Sequence, residues 1–276
     1  MDAFTNLGMT EAPRARPLAG YVGGKKMLAR RLAEIIDQTP HDLYGEVFAG
    51  MGGVFFKRRL APKVEVMNDL SRDVATFFRV LQNHHQAFLD MLRWQLASRE
   101  EFGRLLGQDP ERLTDLQRAA RFLYVQRLGF GGKVVGRTFG VSRERAAPFD
   151  VHKLAPLIAE AHERLAGVWI ECLTWAAFLD RWDRPGALFY LDPPYWGTES
   201  YYGPGMFAPA DFAALATRLK GLRGRFVMSL NDLPETRETF AGFSIETVPV
   251  TYTAGLSNGT RATEIIITGG GSAVAP

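Results

Sequence analysis

The chain has 276 residues, 46% of them hydrophobic and 23% charged, which suits a globular protein with one large core or a domain with an insertion. Its formal charge is +3, no apolar run reaches the length of a membrane span and the N-terminus lacks a signal-peptide core, so a cytoplasmic protein is expected. A single cysteine, Cys172, excludes an internal disulfide framework. The five histidines form no His-Glu-x-x-His pair and have no cysteine partners, which leaves a metal site unsupported.

Residues 1–15 show no periodicity and read as a mobile tail. Gly20-Tyr21-Val22-Gly23-Gly24-Lys25 then forms a glycine turn that opens a helix with Leu28, Leu32, Ile35 and Ile36 on its apolar face. Free N–H groups and a lysine at a helix start suit an anion, but Ala19 and Lys26 depart from the phosphate-loop NTPase pattern. Residues 44–56 read as strand, glycine loop and helix, with Phe48, Gly50 and Gly52 at the turn. Glycines there let the backbone approach a ligand, without the strict spacing of nicotinamide binders. The strand Val64–Asn68 delivers Asp69 roughly 20 residues beyond the glycine loop, where an acid holds ribose hydroxyls in doubly wound folds. The alternative for Asp69 is a helix cap.

Residues 86–147 read as an inserted, mainly helical recognition domain, with a hairpin or extended arm over Val134–Val141. Between Arg112 and Arg145 eight basic residues stand against Asp115 and Glu144, a net of +6, so the rest of the chain sums to −3. A positive patch interleaved with Phe130 and Phe139 on an acidic body is the footprint of a nucleic acid, with Arg127, Lys133, Arg137, Arg143 and Arg145 as candidate contacts.

The α/β pattern resumes with a helix at 151–165, a strand at 169–173 in which Cys172 reads as a buried thiol, and a helix at 175–182. The apolar strand Ala187–Leu191 then ends abruptly in Asp192-Pro193-Pro194-Tyr195. Two prolines without N–H groups and with fixed φ stop the strand. They leave a stiff turn presenting one carboxylate, free carbonyls and an aromatic ring, which suits gripping a flat ring that bears an amino group. A helix at 209–222, a strand at 225–230 and an antiparallel hairpin made of 243–252 and 263–268 complete the chain. Strands alternating with helices imply a mostly parallel sheet covered on both faces, with Gly50, Asp69 and Asp192 together on its carboxyl rim.

The ordered series Tyr21-x-Gly-Gly-Lys25, Phe48-Ala-Gly50-x-Gly52, Asn68-Asp69, Gln126-Arg127-x-Gly129-Phe130, Asp192-Pro-Pro-Tyr195 and Ser229-Leu-Asn231-Asp232 resembles the Dam-like (D12 class) adenine-N6 DNA methyltransferases. The resemblance implies a Rossmann-like methyltransferase sheet, residues 16–85 and 148–276, carrying the inserted DNA-recognition domain. It further implies S-adenosylmethionine held by Tyr21, Gly24, Lys25, Phe48, Gly50, Gly52, Asp69 and Asp192, and a target adenine in double-stranded DNA held by Asp192 to Tyr195. Asn231 joins the candidate DNA contacts on the same ground, and a monomer is expected. Thr174 stands where relatives often carry an acid, and Gly131-Gly132-Lys133 departs from their recognition loop. Methylation of cytosine N4 or of an RNA base, and a DNA-binding relative without activity, remain as alternatives.

Overall fold

A computed structural model of the protein describes residues 8–252 and 260–271, apart from Gly24, Lys26, Met27 and Arg145. The chain begins with a short strand β1 (Thr10–Glu11), helix α1 (Ala29–Gln38) and strand β2 (Leu43–Glu46). Strands β3 (Leu60–Ala61) and β4 (Val64–Asn68) lead into helices α2 (Arg72–Leu92), α3 (Arg99–Leu106), α4 (Asp115–Leu128) and α5 (Val151–Arg164). Then come β5 (Trp169–Glu171), α6 (Trp175–Trp182), β6 (Ala187–Leu191), α7 (Pro209–Lys220), β7 (Arg225–Asn231), α8 (Pro234–Thr239), β8 (Ser244–Tyr252) and β9 (Thr260–Gly270).

Seven strands form one sheet in the order β5-β4-β2-β6-β7-β9-β8. β5, β4, β2, β6 and β7 run parallel, whereas β9 pairs antiparallel with β7 and β8 with β9. This is a mostly parallel, Rossmann-like α/β sheet. From β2 the chain builds outward through β4 and β5, then returns to lay β6 on the other flank of β2. The order therefore reverses between β2 and β6, and ligands in such sheets bind at that switch point, beyond the carboxyl ends of the strands.

Alternation along β6 explains how one strand feeds two cores. Leu188 and Tyr190 enter the cluster that also holds Leu32, Phe77 and Ile158, while Ala187, Phe189 and Leu191 enter the cluster with Phe178, Phe212 and Phe226. A strand buried on both faces reads as an unbroken apolar run, and so this one does. The start of α4 is equally local: Thr114 Oγ1 accepts from Gln117 N while Gln117 Oε1 accepts from Thr114 N, a capping box.

Several expectations change. Within the stretch expected to be a mobile tail, β1 pairs with β3 and both Met9 and Ala12 are buried, because Ala12 N donates to Arg59 O at 2.8 Å. The helix expected after the glycine loop contracts to one 3-10 turn, Phe55–Lys57. The chain leaves it at Arg58, which turns inward to meet Glu65 at 2.7 Å. Residues 134–141 form no strand; the loop closes through an isolated Gly129–Phe139 bridge and Gly140 N to Leu128 O at 2.7 Å. Cys172 is exposed rather than buried, since it follows β5, which lies at the sheet edge.

Residues 86–147 begin inside α2, two positions after a non-helical turn at His84 (φ −136°, ψ 28°). Their apolar side chains Phe88, Phe102, Phe122 and Leu123 belong to the same buried cluster as Leu32 and Phe77. The segment thus packs on the sheet domain through a shared core.

Candidate active site

A cavity of about 790 Å³ lies at the carboxyl rim, lined among others by Tyr21, Glu46, Phe48, Gly50, Asp69 and Asp192. Its volume matches that of small-molecule sites. Gly50 takes φ +50°, and a Cβ there would stand 2.9 Å from the Tyr21 ring, so only glycine lets that ring lie over the loop. Gly52 takes φ +71° beside the ring of Phe56. Asp69 ties the loop to the next strand end: Gly50 N donates to its Oδ2 and Ser71 N to its Oδ1, each at 2.8 Å. Burial pushes its carboxyl up to about 6 against those two hydrogen bonds. One lone pair on each oxygen remains for a ligand hydroxyl.

Asn68 is a residue that sequence reasoning placed only as a strand end. Buried, it donates to Val47 O at 2.9 Å and to Leu173 O at 3.1 Å and accepts from Leu173 N at 2.9 Å. It thereby joins the rims of β2, β4 and β5. Thr174 caps α6, its Oγ1 accepting from Ala177 N at 3.2 Å, while its neighbours Leu173 and Trp175 line the cavity.

Glu46 was not foreseen. It ends β2 with 1% exposure, and its Oε2 accepts from Tyr44 OH at 2.7 Å. Burial pushes its carboxyl up to about 8, outweighing the Tyr44 hydrogen bond and the attraction of Arg58. The cavity wall thus carries a carboxyl that is mostly neutral at pH 7. The signal in the sequence was an acid in the strand that leads into the glycine loop.

At the end of β6, Asp192 Oδ1 lies 2.5 Å from Lys25 Nζ and accepts from Ser229 Oγ at 3.3 Å; Ser229 in turn meets Tyr190 OH at 2.8 Å. Burial pushes the Asp192 carboxyl up to about 6, the nearby Lys25 ammonium opposing it. Lys25 Nζ also donates to Gly23 O at 3.1 Å and stands 4.2 Å from the centre of the Tyr195 ring. Lys25, expected at the cofactor, lines the cavity and lies with its ammonium against Asp192 and Tyr195 of the Asp-Pro-Pro-Tyr turn. Pro193 and Pro194 are buried and Tyr195 is half-buried. Trp196 stacks on Phe212 with ring centres 4.5 Å apart.

Asn231, expected at the DNA, clamps that same turn: its Oδ1 accepts from Trp196 N and its Nδ2 donates to Trp196 O, both at 3.1 Å. Arg127 donates to Leu18 O and, at 2.7 Å, to Pro148 O. Arg137 donates to Lys133 O and to Gln126 Oε1, each at 2.9 Å. Gln126, missed as a site residue, passes the connection on, donating to Gly20 O at 2.9 Å and Gly132 O at 2.8 Å. Further back, Arg118 pairs with Asp73 at 2.6 Å and Arg121 donates to Leu105 O at 2.7 Å. Four of the eight basic residues thus brace the interior, whereas Lys133 and Arg143 point into solvent. Gly24 and Arg145 lie outside the described residues.

Among the described residues no cluster of three or more His, Cys, Asp or Glu side chains is placed to hold a metal, and no helix is long and apolar enough to cross a membrane. A glycine loop tied to Asp69 at a topological switch point, beside an Asp-Pro-Pro-Tyr strand end, places this cavity where α/β folds bind their ligands. The sequence model of the D12 class N6 adenine-specific DNA methyltransferases matches residues 21–254. The chain belongs to that family and is a site-specific DNA methyltransferase acting on adenine N6. Among solved structures it is similar to the precorrin 8w decarboxylase of Methanobacterium thermoautotrophicum, with 11% identity over 88% of this chain and 90% of that one at a TM-score of 0.37.

Proposed function

We propose that the methyl donor is S-adenosylmethionine and that the acceptor is an adenine flipped out of double-stranded DNA, the protein acting as a cytoplasmic monomer. The observation that carries this reading is that one cavity is lined both by Gly50 and Asp69 and by Asp192 and Pro194. A nucleoside cofactor and an amino-bearing base can therefore share it.

The residues present fit the donor. Gly50 and Gly52 keep the loop free of side chains, Asp69 offers lone pairs to two ribose hydroxyls, and Tyr21 and Phe48 offer aromatic walls. Glu46 offers a carboxyl to an α-ammonium. Bound there, the donor would supply a methyl group on a sulfonium, whose sulfur takes the bonding pair and leaves as a neutral thioether.

The rest falls to the chain. Adenine N6 is a poor nucleophile because its lone pair is delocalised into the ring. The Asp192 carboxylate and the Pro193 carbonyl accept its two hydrogens and favour a pyramidal nitrogen with a localised pair. Ser229 aims the carboxylate, the two prolines hold the turn stiff, and Tyr195 stacks on the base. The nitrogen loses one proton as it gains the methyl group, and Asp192 is the base in contact with it. Flipping costs a few kcal/mol, part of which stacking recovers. The assay is incubation with unmethylated DNA and isotope-labelled S-adenosylmethionine: labelled N6-methyldeoxyadenosine is expected, and label absent from adenine would refute the reading.

The cavity wall can be probed through Glu46. Glu46→Gln should leave the melting temperature nearly unchanged at about pH 4 and raise it at about pH 9. The folded carboxyl, at about 8 against an ordinary 4.5, favours the protonated form, so its contribution is full below 4.5 and is lost as pH rises through 8. Cofactor affinity, measured by calorimetry, should rise with pH through about 8 in the wild type and lose that limb in the variant, because pairing with an ammonium needs the ionised acid.

On the DNA side, Lys133 and Arg143 are proposed as phosphate contacts together with Arg145. Arg127 and Arg137 are proposed to position the loop that carries them. Lys133→Ala and Arg143→Ala should each lower the slope of log K against log salt by about 0.9. An unchanged slope in fluorescence titrations would remove that residue from the interface.

A further inference from the structure

Lys25 does more in this geometry than neutralise a carboxylate. Its side chain is 3% exposed, and its ammonium makes the contacts that a target amino group needs. One N–H faces Asp192 Oδ1 at 2.5 Å, a second donates to Gly23 O at 3.1 Å, and the charge stands 4.2 Å from the centre of the Tyr195 ring. The first and last of these are the partners assigned above to adenine N6 and to the adenine ring. A base stacked on the face of Tyr195 that the ammonium covers competes with it for that ring and for Asp192 Oδ1.

We infer that Lys25 Nζ occupies the subsite of the target amino group in the DNA-free protein, and that a base enters by exchanging its own N–H donor for the lysine's on Asp192. The inference rests on the reading of Asp192 as the amino acceptor and deepens it. The exchange is donor for donor. An exocyclic amino group replaces the ammonium and keeps Asp192 hydrogen-bonded throughout. A carbonyl-bearing base turns a lone pair toward the carboxylate and leaves Lys25 in place. Lys25 is thus a positioning residue that keeps the acceptor ionised and occupied until an amino-bearing base arrives. Other groups act on this carboxylate too. Ser229 donates to it, the charge of Glu264 on β9 raises it, and Glu46 on β2 is raised by it in turn. The Tyr190 and Tyr202 hydroxyls nearby stay protonated, since burial raises both.

The test uses the full chain and a duplex containing the adenine mapped in the methylation assay, with 2-aminopurine as its 3′ neighbour to report unstacking. In the absence of cofactor and at saturating protein, Lys25→Met should shift the entry equilibrium toward the unstacked state by roughly 10- to 100-fold. That is the range for removing a competing hydrogen bond to a charged group. The same variant should transfer methyl groups more slowly in single turnovers, and its acid limb should lie at higher pH than in the wild type, because the ammonium no longer holds Asp192 ionised. A change in packing alone would not move that limb. Lys25→Gln, which retains a neutral donor, should fall between the two and serves if the Met variant does not fold. Unstacking equal to or below that of the wild type in a folded variant would overturn the inference. Failure of the underlying reading is separately visible, since the wild type would then place no methyl group on the mapped adenine.

Discussion

Asp192→Asn lowers single-turnover methyl transfer by at least about 10²–10³-fold, the range for losing one preorganised electrostatic contact in a closed site. The amide is nearly isosteric, but it replaces one acceptor oxygen with an NH₂ group that turns hydrogens toward the adenine amino group. It also removes the charged partner of Lys25, whose ammonium stands 2.5 Å from the carboxylate. Cofactor affinity by calorimetry should stay near the wild-type value, because Gly50, Asp69 and Glu46 are untouched. In the wild type the rate should rise with pH through about 6, where the Asp192 carboxyl ionises, and this limb should vanish from the residual activity of the variant. A wild-type rate in the Asp192→Asn variant would remove this carboxylate from the mechanism.

Glu65→Ala should be the most damaging single change to stability, at about 3–5 kcal/mol. Glu65 lies on β4 beneath the sheet, with Arg58 Nη1 2.7 Å from its Oε1 and Arg164 donating to both oxygens at 2.7 Å. Both guanidinium groups are buried, each lying over an aromatic ring: Arg58 3.6 Å from Tyr44 and Arg164 4.0 Å from Phe55. Removing the carboxylate takes from two buried cations their shared direct partner and leaves Asp37, 3.8 Å from Arg58, and the attraction of Glu46. A fall in melting temperature of roughly 6–20 °C is expected by calorimetry. Cofactor affinity should fall as well, since Arg58 packs on the Tyr44 ring whose hydroxyl holds Glu46. A loss below about 1 kcal/mol would mean that the pocket admits water to both arginines.

These two residues mark opposite cases of legibility. Asp192 stood out because its chemistry is local: an apolar run ends at an acid followed by two prolines, and covalent geometry alone forces the strand to stop there. Glu65 looked like one charged residue in an alternating strand. Its partner Arg164 lies 99 positions away, and nothing in either neighbourhood announces the pair.

The same division runs through the site. Gly50, Asp69 and Asp192 could be placed on one rim because strands that alternate with helices run parallel, and the residue after each strand then faces the same edge. Arg127, Arg137 and Asn231 carried charge or polarity whose destination depends on which carbonyls come within reach. The fold brings them Leu18 O, Gln126 Oε1 and the Trp196 backbone instead of solvent. The basic count between Arg112 and Arg145 was right, yet burial turned half of it inward.

By itself, then, the sequence determined what repeats over short distances: the periods of helix and strand, the turns only glycine or proline can make, and the order of motifs that identifies the family. The tertiary structure alone decided which oppositely charged groups meet, which carboxyls lose water and rise to about 6 or 8, and that Lys25 rests on Asp192. Desolvation and long-range pairing are properties of a packed interior, and they come into being only when segments far apart in the chain exclude water together.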